Sequence, residues 1–231
     1  MPQRYQTVLF DFGGTLDSDG VAWKERVHSH YQAEGLAMTA ADFAPAFYAA
    51  DDRLVGTIPQ SANLAATIDV LTGNLEAGFA GPGASPDKAR GQRAAARFMA
   101  DAEACFTRNR PFLRELAQRY RLGIVSNFYG NLEGVCAGAG LTPFFGAMAD
   151  SNRVGVEKPA PAIFEAAMHP LGAVPATTLF VGDSLRRDRE GARRLGMDFV
   201  WIAPAETQAT ETSAIDHPVI SRLTDLAPML S

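Results

Sequence analysis

Four short polar segments contain the residue types from which an active site could be built. They are Asp11-Phe12-Gly13-Gly14-Thr15, Ser126-Asn127, Lys158-Pro159 and Gly182-Asp183-Ser184-Leu185-Arg186-Arg187-Asp188. A carboxylate such as Asp11 can act as a nucleophile and split a hard displacement into two easier steps. The amides of a Gly-Gly turn can hold an oxyanion beside it. The Ser126 hydroxyl and its neighbouring amides can bind a further anionic oxygen. The Lys158 ammonium can offset clustered negative charge in the ground and transition states. Asp183 and Asp188 supply the hard oxygen donors that Mg²⁺ requires. Each residue taken alone has a plainer reading. Asp11 could shape its turn, Ser126 and Asn127 could simply end a strand, Lys158 could be a surface lysine, and Asp188 could cap the following helix.

The elements around them favour a shared site. Each segment follows an apolar run: Val8-Leu9-Phe10, Leu122-Gly123-Ile124-Val125, the stretch around Phe144 to Met148, and Thr178-Leu179-Phe180-Val181. Runs of this length ended by polar or glycine residues read as buried strands. In an open parallel sheet, ligands bind beyond the carboxyl ends of the strands. After Arg110-Pro111 the chain alternates strand and helix. Helices are expected at Pro111–Tyr120, Asn131–Ala139, Pro161–His169 and Asp188–Leu195, and strands at Leu122–Ser126, Thr178–Gly182 and Asp198–Ile202. That alternation implies a parallel sheet with right-handed crossovers. Between about Val21 and Met99 the pattern is helical and Ala-rich, with candidates at Trp23–Glu34, Ala40–Leu54, Ala62–Asn74 and Pro86–Phe106. The expected fold is α/β: a Rossmann-like parallel sheet core, residues 1–16 and 108–231, with an inserted all-helical cap domain at 17–107. The segment Pro204–His217 reads as a polar loop, and Val219–Leu230 as a last short strand and helix.

The 231 residues are enough for one substantial domain with a smaller insert, and the composition is that of an ordinary globular protein. A net charge of −5 gives no electrostatic case for nucleic acid. The arginines at 186, 187, 189, 193 and 194 read as a solvated helix face. No apolar run reaches membrane-spanning length and no apolar leader precedes the first strand. Cys105 and Cys136 have no metal-ligand spacing, and a cytoplasmic location is expected.

In this order and context the four segments resemble the motifs of the haloacid dehalogenase (HAD) superfamily, most of whose members are phosphatases. Gly182 to Gly196 is the most family-specific stretch, and Glu157 to Phe164 resembles the third motif. The resemblance covers residues 5–16 and 108–231, with the helical insert in the position of a cap. It implies that Asp11 is the nucleophile and that Lys158 is catalytic and touches substrate. Thr15, Ser126 and Asn127 would bind substrate or support its loop. Mg²⁺ would be held by Asp11, the Gly13 carbonyl, Asp183 and Asp188. The implied substrate is a small phosphorylated molecule that the motifs do not name.

One position departs from the pattern. The residue two after the nucleophile is typically an aspartate that protonates the leaving group and then activates water, and here it is Gly13. Positioned acid/base groups supply about 10²–10⁴-fold in rate, so turnover of a phosphate ester is expected to be slow unless another group substitutes. Asp17 and Asp19 are the nearest carboxylates, and both read as linker residues toward the cap. Two other branches of the superfamily also lack this aspartate. A haloacid dehalogenase would use a cap arginine such as Arg53, but its fourth motif lacks the acidic pattern of Asp183 and Asp188. A phosphonate hydrolase would need a cap lysine, for which only Lys24 and Lys88 are available. A low-turnover phosphate-binding or regulatory protein is the remaining alternative.

Overall fold

The computed structural model describes residues 4–80, 83–210 and 217–230. Strand β1 (Thr7–Phe10) is followed by helices α1 (Trp23–Ala33), α2 (Ala40–Asp52), α3 (Leu64–Phe79) and α4 (Lys88–Ala117). Next come β2 (Arg121–Ser126), α5 (Leu132–Gly138), β3 (Ala147–Asp150), α6 (Ser151–Val154), α7 (Pro161–Met168) and β4 (Thr178–Gly182). A π-helical turn (Leu185–Arg189) leads into α8 (Glu190–Leu195), β5 (Asp198–Ile202), α9 (Ala205–Thr210) and β6 (Val219–Ile220), and a 3₁₀ helix spans Leu223–Met229. The six strands form one parallel sheet in the order β3-β2-β1-β4-β5-β6.

The strands are buried on both faces, as a covered parallel sheet requires. Their side-chain alternation divides the interior into two cores. Leu9, Val125, Phe180 and Trp201 pack with Ile163, Phe164, Ala167 and Ala192 of α7 and α8. Val8, Phe10, Ile124, Val181 and Ile202 pack with Leu113 and Leu116 of α4, in a cluster that continues into α1–α3. β1 is central, with Phe10 level with Ile124 on one side and Val181 on the other. Asp11, the residue after β1, is therefore flanked by the ends of β2 and β4, which carry Ser126 and Gly182-Asp183.

Three sequence expectations change. The helices predicted at Pro86–Phe106 and Pro111–Tyr120 are one helix, α4, which runs through Pro111. A proline inside a helix costs about 3 kcal/mol. The buried stripe Phe98, Ala102, Cys105, Phe106, Asn109, Leu113, Leu116 continues across it at helical spacing, and burial of that stripe keeps the helix intact. The expected loop 204–217 contains α9, while residues 211–216 of that call lie outside the described residues. The helix predicted to start at Asp188 begins earlier. Ser184 caps it by accepting from the Arg187 amide at 3.2 Å, so Asp188 lies inside the π turn and is not the N-cap.

Candidate active site

Asp11 leaves β1 with its amide donating to the Val181 carbonyl at 2.9 Å. Its carboxylate is directed by three neighbours on the same oxygen. Oδ1 accepts from the Phe12 amide and the Ser126 hydroxyl, each at 2.7 Å, and lies 2.7 Å from Lys158 Nζ. Among the described residues no hydrogen bond is made to Oδ2. The sequence thus places a buried carboxylate with one oxygen anchored and the other free.

Lys158 is itself buried, with Nζ 2.8 Å from Asp188 Oδ1. Burial alone would lower its pKa, but the facing charges of Asp11 and Asp188 outweigh that and raise it. Asn127 fixes the lysine's backbone by accepting from the Lys158 amide at 2.8 Å and donating to its carbonyl at 3.4 Å. Its side chain is thereby committed, so its main chain is what remains for a ligand.

Asp183 and Asp188 close the site from β4. Asp183 is half-buried, and Thr15 donates its hydroxyl to Asp183 Oδ1 at 3.2 Å. Burial first, and the charges of Asp11 and Asp188 second, push its carboxyl well above the usual carboxylate range. Asp188 is fully buried and accepts from the Ser184 amide at 3.0 Å. Burial pushes its carboxyl up to about 6, aided by Asp11 and opposed by Lys158. Two glycines make room for this cluster. A Cβ at Gly14, whose φ is +92°, would sit 2.5 Å from Asp183 Oδ2, and one at Gly182 would sit 2.3 Å from Asp188 Oδ2.

The donor set suits a hard divalent cation. Asp11, Asp183 and Asp188 each offer an oxygen within 4.8 Å of the others. Three carboxylates face a single ammonium. Asp188 Oδ1 is buried and, apart from its ion-pair contact with Lys158, has no directed hydrogen bond. Oxygen-only donors and uncompensated negative charge are what Mg²⁺ relieves.

Gly13 is the position where the sequence departs from the motif. Its φ is not positive, so the backbone there would accept a side chain. The obstacle is Trp23, at the start of α1, whose Nε1 lies 3.1 Å from where a Cβ at position 13 would be. Trp23 is held in turn by Asp17, which is fully buried. Asp17 Oδ2 accepts from Trp23 Nε1 and Arg26 Nη1, and Oδ1 from the Gly14 amide, each at 2.7 Å. Asp19 pairs with Arg108 at 2.6 Å. The two carboxylates nearest in sequence are thus both tied to arginines.

Sequence reasoning missed this Asp17–Trp23–Arg26 lock, and also a contact between Tyr129, after β2, and Asp51, at the end of α2. Tyr129 donates to Asp51. The only available signal was the tryptophan at the first turn of the first inserted helix. The cap candidates for other chemistries, Arg53, Lys24 and Lys88, are not among the groups gathered around Asp11; Lys24 pairs with Glu25 and contacts Tyr48. A surface cavity of about 440 Å³ is lined by Arg4, Tyr5, Met197 and Asp198 at the amino edge of the sheet, away from Asp11.

A central strand that ends in a carboxylate, with a lysine and two further aspartates converging on it, defines a parallel α/β protein with an acidic site at the carboxyl edge of its sheet. A family model for haloacid dehalogenase-like hydrolases matches residues 5–196, and the chain belongs to that family. It is 36% identical over 112 residues to haloacid dehalogenase-like hydrolase domain-containing protein 3 of Bos taurus, covering 48% of this chain and 45% of the relative. It is 32% identical over 117 residues to glyceraldehyde 3-phosphate phosphatase of Methanothermobacter thermautotrophicus, covering 48% and 51%. The chain thus spans about half the length of the curated relatives it matches. A magnesium-bound HAD-hydrolase of Bacillus subtilis shares the fold, with a TM-score of 0.58, 22% identity and 99% coverage of both chains.

Proposed function

We propose that this hydrolase is a Mg²⁺-dependent phosphatase of a small phosphorylated metabolite that works through an aspartyl-phosphate at Asp11. The observation that carries the reading is the carboxylate with Oδ1 bound by three donors and Oδ2 free, beside two further aspartates. Oδ2 attacks phosphorus as the ester P–O bond breaks, and water then cleaves the acyl phosphate. Lys158 holds Asp11 and offsets charge on the phosphoryl oxygens, with Ser126 and the turn amides positioning them. Thr15 holds Asp183. Asp11, the Gly13 carbonyl, Asp183 and Asp188 are the proposed metal ligands. Bound magnesium would neutralise phosphoryl charge there.

In this reading residues 17–107, which hold α1–α3 and the first two thirds of α4, form the cap that covers the site and selects the substrate. Among the described residues no helix is long and apolar enough to cross a membrane. The two free, buried cysteines suit a reducing compartment, so we assign the protein to the cytoplasm. The net charge of −5 disfavours nucleic acid as a partner. The acidic pair at 183 and 188 favours phosphate esters over halides, which need no metal.

The test is a panel of phosphate esters with and without Mg²⁺, run beside 2-chloropropionate and phosphonoacetaldehyde. Phosphate release that requires Mg²⁺ and disappears in Asp11→Asn supports the reading. Chloride release in excess chelator would replace it with a dehalogenase. Tight phosphate binding without turnover would replace it with a binding protein.

A further inference from the structure

We propose that Trp23 is a specificity-determining residue that seals the leaving-group side of the site, and that the substrates are phosphate esters whose leaving oxygen departs as a stabilised anion: aryl, enol or acyl phosphates rather than alkyl ones. This rests on the phosphatase reading above and narrows it. Trp23 is 8% exposed and its indole occupies the space into which a side chain at position 13 would project. It is not a loose wall. Its ring packs edge-on against Phe98 and Phe128, with centroids at 5.3 and 5.6 Å, and lies 6.1 Å from that of Tyr129. Asp17 fixes the indole edge at 2.7 Å.

The described proton donors around that wall are already committed. Trp23 Nε1 donates to Asp17, and both Asp17 oxygens are occupied as acceptors, Oδ1 from the Gly14 amide and Oδ2 from Trp23 and the Arg26 guanidinium. The Tyr129 hydroxyl donates to Asp51. Elsewhere in the site the Ser126 hydroxyl donates to Asp11 and the Thr15 hydroxyl to Asp183. The Lys158 ammonium lies between Asp11 and Asp188. An alkoxide leaving without a proton is a poor leaving group, whereas a phenolate, enolate or carboxylate departs unaided. In the first step the P–O(leaving) bond breaks, its electron pair goes to the leaving oxygen, and the Asp11 Oδ2–P bond forms. No proton is transferred within the protein. A flat aromatic wall also suits a planar leaving group better than a hydrated polyol.

The test is a leaving-group series with Mg²⁺ present, from nitrophenyl and phenyl phosphates to alkyl phosphates, with acid-quench trapping of phosphorylated Asp11 on each substrate. Trapping keeps failure of the two readings apart. The proposal expects kcat/KM to fall steeply with leaving-group pKa, by about 100-fold or more between aryl and alkyl esters, the rate a missing proton donor forfeits. It further expects that Gly13→Asp alone gains little on alkyl esters, whereas Gly13→Asp with Trp23→Ala gains more, because the indole no longer occupies the space. Trp23→Phe keeps the wall and should keep the aryl preference if the double variant does not fold. Equal rates on aryl and alkyl esters with Asp11 still labelled would overturn this inference and leave the phosphatase reading standing. Absence of Asp11 labelling by every ester would overturn both.

Discussion

Replacing Asp17 with asparagine should destabilise the fold severely while leaving the chemistry at Asp11 intact in the folded fraction. Asp17 is 0% exposed and receives three donors on two oxygens: the Gly14 amide on Oδ1, and Trp23 Nε1 with Arg26 Nη1 on Oδ2. Asparagine has one acceptor oxygen and one NH₂. Whichever way it turns, an N–H faces an N–H, and Arg26, itself 5% exposed, loses its counter-charge. Removing one partner of a buried ion pair costs about 3–5 kcal/mol. At about 2–4 °C per kcal/mol for a protein of this size, the melting temperature should fall by roughly 6–20 °C. Thermal melts and urea titrations of wild type and Asp17→Asn, with phosphatase assays well below the lower melting temperature, make the measurement. A variant within about 1 kcal/mol of wild type that has lost turnover would refute the reasoning, since it would show Asp17 moving protons rather than locking the first loop.

Two further outcomes follow from the crowding of carboxylates. Asp188 titrates at about 6 in the folded chain against 3.8 when free, so its folded form binds the proton more tightly. Its contribution to stability is present at low pH and lost as pH rises through its folded value. In excess chelator the wild type should therefore lose stability between about pH 4 and about pH 6 more steeply than Asp188→Asn; parallel curves would contradict the charge assignment. Gly182→Ala would place a Cβ 2.3 Å from Asp188 Oδ2, displacing that carboxylate and weakening Mg²⁺ binding by calorimetry. Unchanged affinity would mean that Asp188 does not hold the metal.

Much of this site was legible in the sequence because a parallel sheet concentrates its chemistry at strand ends. Asp11, Ser126 and Asp183 each follow an apolar run, and parallel pairing of β1 with β2 and β4 forces them together. Lys158 was legible by its resemblance to a motif, not by pattern, since the short helix α6 separates it from β3. The contacts that decide the fate of position 13 were not legible. Asp17 reads as a polar linker residue until Trp23 and Arg26, six and nine residues away, turn back onto it. Tyr129 and Asp51 meet across 78 residues of chain, a pairing no local periodicity encodes. Pro111 misled for the opposite reason. Its local rule was outweighed by a buried stripe that only tertiary packing reveals.

The central claim is covalent catalysis at Asp11, and the most direct measurement is acid-quenched mass spectrometry of the peptide carrying Asp11 during turnover of an aryl phosphate with Mg²⁺. The account predicts one added phosphoryl group on Asp11 that disappears as substrate is exhausted, with neither label nor turnover in a folded Asp11→Asn variant. Undiminished phosphate release by that variant would contradict it.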